Sequence, residues 1–94
     1  MNEAALIQKI RKYLATVPEC FFWNEHGGQY GTAGIPDIIV CYKGRFIGLE
    51  AKVGRNNPTK LQAVTIDRIN AAGGIAVVVR TVDDVKAVIE KIGG

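Results

Sequence analysis

The chain has 94 residues, of which 48% are hydrophobic, and its 12 Lys and Arg against 9 Asp and Glu give a net charge of +3. This composition excludes a disordered chain, and the length predicts one domain over residues 1–94, near the small end of what a single core stabilises. The mild basic excess permits a nucleic-acid partner without requiring one. No apolar run approaches the roughly 18 residues of a membrane span, and the N-terminus does not resemble a signal peptide, so we expect a cytoplasmic protein without membrane contact.

The first third of the chain predicts a helix, a short strand and a loop. Residues 3–17 carry apolar residues at helical spacing, with Asn2 as N-cap and Pro18 as the stop. Residues 20–23 predict a buried strand, and we assign its aromatic rings (Phe21, Phe22, Trp23) to the core rather than to base stacking. Residues 24–34 predict a glycine-rich loop that also holds the one histidine, His26, for which we expect a solvated position. Cys20 and Cys41 both lie in apolar, strand-like segments, which predicts reduced core thiols rather than a disulfide.

The middle of the chain predicts a hairpin followed by a helix. Residues 38–42 and 46–50 predict two strands, joined by a two-residue turn at Lys43-Gly44. Pro58, with Asn57 as N-cap, predicts the start of a second helix that ends at Gly73-Gly74.

The last part predicts a strand and a helix. The continuous apolar run 75–79 is typical of a strand covered on both faces. Thr81 to Asp84 resembles a capping box with Asp in place of Glu, and predicts the start of the last helix. The order αβββαβα indicates an α/β fold with a mixed sheet, in which a right-handed crossover makes the fourth strand parallel to the third.

The hairpin register brings two acidic side chains together. If Tyr42 pairs with Arg45, then Asp37 lies opposite Glu50, and Lys52 shares their face. Two carboxylates with Cβ atoms about 5 Å apart repel by roughly 3 kcal/mol at an effective dielectric constant of about 20, whereas a divalent cation turns them into a ligand pair. The alternative is a pair of solvated acids at strand ends, and a three-residue turn would place the acids on opposite faces.

These residues resemble a known nuclease signature. Gly34-Ile35-Pro36-Asp37 followed by Glu50-Ala51-Lys52 matches the PD-(D/E)xK pattern. Further features extend the match: a glycine-rich loop before Asp37, Gln62 near the start of the next helix, and Gly73-Gly74 leading into a strand that ends at Val79-Arg80. Nearly the whole chain thus resembles the VRR-NUC family, in its small stand-alone form that phages often carry. The resemblance implies a restriction-endonuclease-like mixed sheet flanked by helices. One departure is Thr81, which interrupts the Val-Arg-Arg string and puts a role for a second arginine in doubt.

The resemblance also implies a metal site. Mg²⁺, for which Mn²⁺ substitutes, is expected on Asp37, Glu50 and the Ala51 carbonyl. Lys52 would orient or deprotonate the attacking water, or stabilise the developing phosphorane charge; the sequence leaves these roles open. Glu3 is similar to the acidic residue that the first helix supplies to this site, although an acid there also complements the helix dipole. Gln62 is similar to a helix glutamine near the lysine and the phosphate, and its alternative is an exposed helix position.

Several residues are candidates for contact with nucleic acid. Gly31 and Gly34 would let a DNA backbone approach closely, although turns need glycine anyway. Gly48 shares the face of Glu50, where its missing side chain would leave room for substrate. The basic candidates flank the site in sequence: Lys43, Arg45, Arg55 and Lys60. Surface solubility explains these four equally well.

Three functions are compatible with the sequence. The favoured hypothesis is a Mg²⁺-dependent endonuclease that hydrolyses DNA phosphodiester bonds. The others are a nucleic-acid-binding module that keeps the fold without cutting, and a small α/β interaction domain. Stand-alone members of the family are similar to junction resolvases, which implies a homodimer acting on branched DNA such as a Holliday junction. It also implies a possible phage origin, with the protein in the host cytoplasm.

Overall fold

The computed structural model describes residues 1–25 and 33–93. Along the chain lie α1 (Glu3–Leu14), β1 (Cys20–Asn24), β2 (Ile38–Tyr42), β3 (Arg45–Ala51), α2 (Lys60–Ala71), β4 (Ile75–Val79) and α3 (Val82–Gly93). The four strands form one sheet in the order β1-β2-β3-β4, antiparallel except for the parallel pair β3 and β4. The predicted α/β class, element order and parallel fourth strand are confirmed.

The hairpin of β2 and β3 has the predicted register. Tyr42 pairs with Arg45, and the ladder runs back to the pair of Ile38 and Leu49. Lys43 and Gly44 have φ angles of 50° and 81°. Both turn residues are therefore left-handed, which is the conformation of the two-residue turn whose twist matches that of the flanking strands.

The sheet has two different faces. Its core face packs against α1 and α3 in one apolar cluster, which includes Leu6 and Ile10 from α1, Val85 from α3, and Val40 and Leu49 from the sheet. The opposite face, here called the α2 face, carries Gly48 and Glu50, which alternate with Leu49 along β3. Helix α2 contacts this face at β3 and β4: a Cβ added to Gly48 would lie 3.5 Å from Ile69, and the Asn70 side chain exchanges two hydrogen bonds with the Ala76 backbone.

The predicted end of α1 and the predicted start of α2 are both wrong. Helix α1 ends at Leu14 rather than residue 17, because Thr16 and Val17 donate to carbonyls three residues back and Pro18 disfavours a helical Val17. Helix α2 begins at Lys60 with Thr59, not Asn57, as N-cap. The Thr59 hydroxyl accepts from the Gln62 N–H, and the Gln62 side chain accepts from the Thr59 N–H, so this reciprocal capping box fixes the start.

The capping box predicted for the last helix is present. The Thr81 hydroxyl accepts from the Asp84 N–H at 3.1 Å, and the Asp84 carboxylate accepts from the Thr81 N–H at 3.2 Å. Aspartate thus replaces glutamate in the reciprocal pair. None of the helices among the described residues has the length and apolar character needed to cross a bilayer.

The predicted burial of the edge strands is partly wrong. On β1, Phe22 packs against the core, but Phe21 and Trp23 point to the α2 face and are 67% and 45% exposed. Cys41 is exposed on the same face, so it is not a core thiol; Cys20 is half-buried, and both cysteines are free. On β4 only Ala76 and Val79 are fully buried. The exposure has the same cause in both strands. Each is an edge strand of the sheet, and α2 covers only part of the α2 face.

Candidate functional site: an acidic cluster at the end of the sheet

Three carboxylates from three separate segments meet at one end of the sheet. Glu3 is the first residue of α1, Asp37 directly precedes β2, and Glu50 lies near the end of β3. One carboxylate oxygen from each lies within 4.8 Å of the other two. The paired ladder stops one step short of Asp37, at Ile38 and Leu49. The structure nevertheless places Asp37 beside Glu50, and it adds Glu3 to the pair.

Asp37 is held in place by both neighbouring strands. Its Oδ2 accepts a hydrogen bond of 2.8 Å from the Ala51 N–H of β3. Its carbonyl accepts one of 2.8 Å from the Glu25 N–H, just beyond β1. These bonds fix the carboxylate against β3, so its orientation towards the cluster is set by the backbone of the sheet.

Glu50 is the most unusual group in the cluster. It is 1% exposed, and within the described parts of the chain both of its carboxylate oxygens are buried without a hydrogen-bond partner. Its pKa is raised to about 7: burial is the largest cause, the nearby Asp37 carboxylate adds to it, and Lys52 partly offsets both. A buried polar group without a partner destabilises a fold. An acid kept in this state therefore indicates a ligand that the oxygens would bind.

Lys52 lies beside Glu50 on the same side of the chain. Its Nζ is 3.5 Å from Glu50 Oε2, which is longer than a charged hydrogen bond of about 2.7–2.9 Å. The Lys52 N–H donates to the Val79 carbonyl at 3.1 Å, so the end of β3 stays attached to β4. A largely buried ammonium group thus lies beside Glu50, the most buried acid of the cluster.

The donor set fits a hard divalent cation. Three carboxylates within one small volume offer oxygen ligands only, which Mg²⁺, Mn²⁺ and Ca²⁺ prefer over softer donors. The unpartnered oxygens of Glu50 supply an independent observation for the same conclusion. The Ala51 side chain, by contrast, is fully buried on the core face. Packing alone therefore explains the small residue at this position.

Three residues proposed from the sequence have structural roles. The Gln62 side chain closes the capping box of α2. Gly34 has φ 86°, and a Cβ there would lie 2.7 Å from Leu61 Cγ, so its contact is with α2. The room expected above Gly48 is filled by Pro36, whose Cγ would lie 2.8 Å from an added Cβ; that interpretation is wrong. Gly31 and His26 lie outside the described residues.

The basic candidates fall into two groups. Arg55 lies in the segment that follows β3, and Lys60 is the exposed first residue of α2, so both are near the end of the sheet that carries the acids. Lys43 and Arg45 lie at the hairpin turn. Arg45 is five residues from Glu50 along β3, which is about 17 Å, and alternation places it on the opposite face. These two residues therefore do not flank the cluster in space.

Arg80 is a residue that the sequence hypotheses did not use. Its guanidinium donates to the Gly54 carbonyl at 3.0 Å and reaches Asn57 Oδ1 at 3.5 Å. It therefore connects the end of β4 to the segment between β3 and α2. Its position at the end of the Val79-Arg80 string was the sequence signal that could have pointed to Arg80. Thr81, which interrupts the Val-Arg-Arg string, caps α3.

The fold is similar to that of two solved structures. No protein-family model matches the sequence, and no curated protein matches it. Two solved structures are similar: a VRR_NUC domain, with a TM-score of 0.76 and 20% identity over 94% of each chain, and a VRR_NUC domain protein, with a TM-score of 0.76 and 20% identity over 96% of this chain and 86% of that one. The chain has the VRR-NUC fold, and the resemblance predicted from its motifs is confirmed at the level of the fold.

Proposed function

We propose that this protein is a divalent-metal-dependent endonuclease that hydrolyses DNA phosphodiester bonds. One observation carries the proposal: the Glu50 carboxylate is buried without a hydrogen-bond partner among the described residues, within 4.8 Å of the ligand oxygens of Glu3 and Asp37. The VRR-NUC fold supports the same reading.

The metal would be Mg²⁺, with Mn²⁺ as a substitute, and its ligands would be Glu3, Asp37, Glu50 and the Ala51 carbonyl. When bound, such a cation polarises the scissile phosphate and lowers the pKa of a water molecule. The protein itself orients the ligands. The Ala51 N–H fixes Asp37, and the end of β3, which carries Glu50, is fixed by the bond between Lys52 and Val79.

Lys52 would act on the phosphate. In the metal-free protein its ammonium group offsets the charge of Glu50 at 3.5 Å. Once a cation binds the carboxylates, the ammonium group is available to stabilise negative charge that develops on the phosphorane oxygens. A fixed charge of this kind in a partly buried site lowers the transition-state energy more than it strengthens ground-state binding.

Cleavage by matched variants tests the proposal. Wild type, Asp37→Asn and Glu50→Gln are incubated with linear, flap and four-way DNA, in Mg²⁺ and in EDTA. Glu90→Gln is the control, because it removes one carboxylate from an exposed position on α3. We expect cutting by wild type and by the control in Mg²⁺ only, and none by the two cluster variants. Near wild-type cutting by either cluster variant would refute the metal site.

We further propose that the active form is a homodimer that prefers branched DNA, such as a four-way junction. A net charge of +3 gives one copy a weak electrostatic grip on a duplex. Leu61 and Val64 on α2 are both more than half exposed, beside a groove lined by Ile35, Ile69 and other residues, and they offer an apolar surface for self-association. Two-fold symmetry would present two sites to two strands.

A further inference from the structure

Two aromatic rings on the edge strand of the sheet are exposed. Phe21 and Trp23 alternate with the half-buried Phe22 along β1, so both project from the α2 face. Their centroids are 6.1 Å apart, and the ring planes are tilted by 52°. Among residues 1–25 and 33–93, helix α2 packs over β3 and β4, and Phe21 and Trp23 stay 67% and 45% exposed. Two large rings exposed side by side make this part of β1 a candidate binding surface, and its position relative to the acidic cluster decides what it would bind.

This aromatic surface is continuous with the acidic cluster. Trp23 pairs with Ile39, which lies two residues beyond Asp37 on the same face. From strand spacings, the Cα atoms of Trp23 and Asp37 are about 8 Å apart, and those of Phe21 and Asp37 about 14 Å. The two segments are also linked directly, because the Glu25 N–H donates to the Asp37 carbonyl.

The polar edge of Trp23 is already satisfied. Its indole N–H donates to Glu25 Oε2 at 3.1 Å. An apolar partner that covers the ring therefore leaves no indole donor without an acceptor. The aromatic faces are what this surface offers.

We infer that Phe21 and Trp23 form a stacking platform for unpaired bases of the DNA strand that the acidic cluster cuts, an inference that rests on the proposed nuclease function. An unpaired base presents a flat face that a ring covers, whereas bases within a duplex are already stacked on each other. The platform lies beside the cluster, so a DNA strand whose phosphate is held at Asp37 would pass over the rings of β1.

A second copy of this chain fits the surface less well. Two rings that are about half exposed present on the order of 250 Å², whereas a stable dimer buries about 800 Å² on each partner. One ring for each base, by contrast, is the usual arrangement on single-stranded nucleic acid.

The distances predict where the unpaired bases lie. A stacked strand rises about 3.4 Å for each nucleotide. The platform then reaches bases about two to four nucleotides from the scissile phosphate. A single-stranded flap exposes such bases next to its branch point, so the platform favours a flap over a fully paired duplex.

Trp23 is the only tryptophan of the chain, so its fluorescence reports on the platform directly. Metal-free protein in EDTA and low salt is titrated with oligo(dT) and with a blunt duplex of equal length. We expect saturable quenching by oligo(dT) and much less by the duplex. Phe21→Leu should weaken oligo(dT) binding, measured by the same emission, by roughly 5- to 150-fold, the usual effect of losing one stacked base.

Labelled oligo(dT) extends the test to Trp23 itself. By anisotropy, Trp23→Leu should lose the same 5- to 150-fold in affinity, and Trp23→Phe should keep most of it. The control is Tyr13→Leu, which removes a half-buried ring from α1, on the other side of the sheet; its affinity should stay within twofold of wild type. Circular dichroism checks that each variant is folded.

Three results would overturn the platform. The first is equal affinity of wild type and Trp23→Leu for oligo(dT), and the second is equal losses in Tyr13→Leu and Trp23→Leu. The third is a change of Trp23 emission with protein concentration alone, which would assign the surface to a second copy. The nuclease proposal is judged separately by cleavage of DNA in Mg²⁺. Cutting without a Trp23 signal would refute the platform alone, and quenching without cutting would refute the nuclease alone.

Discussion

The buried Glu50 predicts an unusual dependence of stability on pH in the metal-free protein. Its pKa rises from an ordinary value of 4.5 to about 7 on folding, first because of burial and then because of Asp37. Below pH 4.5 the carboxyl is protonated in both the folded and the unfolded states, and it costs nothing. As pH rises from 4.5 to 7 the unfolded state loses this proton first, so the folded state is progressively destabilised. Above pH 7 the penalty is constant.

The size of the penalty follows from the shift. Each pKa unit corresponds to about 1.4 kcal/mol, so the change from 4.5 to about 7 destabilises the metal-free fold by about 3 kcal/mol above neutral pH. This is a large fraction of the free energy of unfolding of a small domain, about 5–15 kcal/mol.

Glu50→Gln removes this titration. Urea unfolding of wild type and variant in EDTA, followed by circular dichroism from pH 4.5 to pH 8, gives the difference in their free energies of unfolding. Any cost of burying the glutamine amide does not depend on pH, so only the titration changes the difference. We expect the variant to gain about 3 kcal/mol relative to wild type across this range. Mg²⁺ should raise the melting temperature of wild type at pH 8 and have little effect on the variant.

A control variant separates the effect of burial at Glu50 from the effect of net charge. Glu90→Gln removes a carboxylate from an exposed position and leaves the cluster intact. If its difference from wild type varies with pH as much as that of Glu50→Gln, the cause is net charge rather than burial. If wild type and Glu50→Gln lose stability in parallel from pH 4.5 to pH 8, then Glu50 is not strained by its surroundings, and the argument for a ligand at its oxygens fails.

Two further predictions concern catalysis and assembly. Lys52→Ala should lower turnover by about two to three orders of magnitude while its affinities for Mg²⁺ and DNA stay near those of wild type, because the lysine charge acts on the transition state. Calorimetry measures the affinities, and single-turnover cleavage measures the chemical step. Loss of DNA binding would instead make Lys52 a ground-state phosphate contact. Leu61→Arg should convert a dimer into a monomer in light scattering and remove the preference for four-way over linear DNA, with Lys60→Arg as a charge-preserving control on the same helix; an unchanged dimer would place the interface elsewhere.

The sequence was most informative where short-range rules decide the structure. The two-residue turn at Lys43-Gly44 determined the hairpin register, because the residues on either side of it, Tyr42 and Arg45, must then pair with each other. That register placed Asp37 and Glu50 side by side. Reciprocal caps likewise fix both later helices. At α2 the predicted cap was Asn57, whereas the bonds between Thr59 and Gln62 place the cap two residues later, at a Thr-x-x-Gln pattern that is itself a capping-box signature in the sequence.

Burial was harder to predict, because it depends on which element covers which strand. Phe21 and Trp23 have the composition of a core strand, and nothing in their local pattern shows that α2 packs over β3 and β4 rather than over β1. Gly48 shows the same limitation. The face on which Gly48 lies was predicted correctly, but the space beside it is filled by the Pro36 ring, which belongs to the segment before β2. In both cases the missing information was a contact between segments distant in the sequence.

The same limitation explains why the acidic cluster and the aromatic surface differ in how they can be found. Asp37 and Glu50 belong to one hairpin, so the sequence alone places them together, and the family resemblance then implies Glu3. The rings are joined to that cluster only by the pairing of β1 with β2, through Trp23 and Ile39. In the proposed platform, the burial that β1 lacks at the sheet edge leaves two rings available to contact DNA. The exposure of Phe21 and Trp23 is therefore better understood as part of the surface around the site than as a defect in the core.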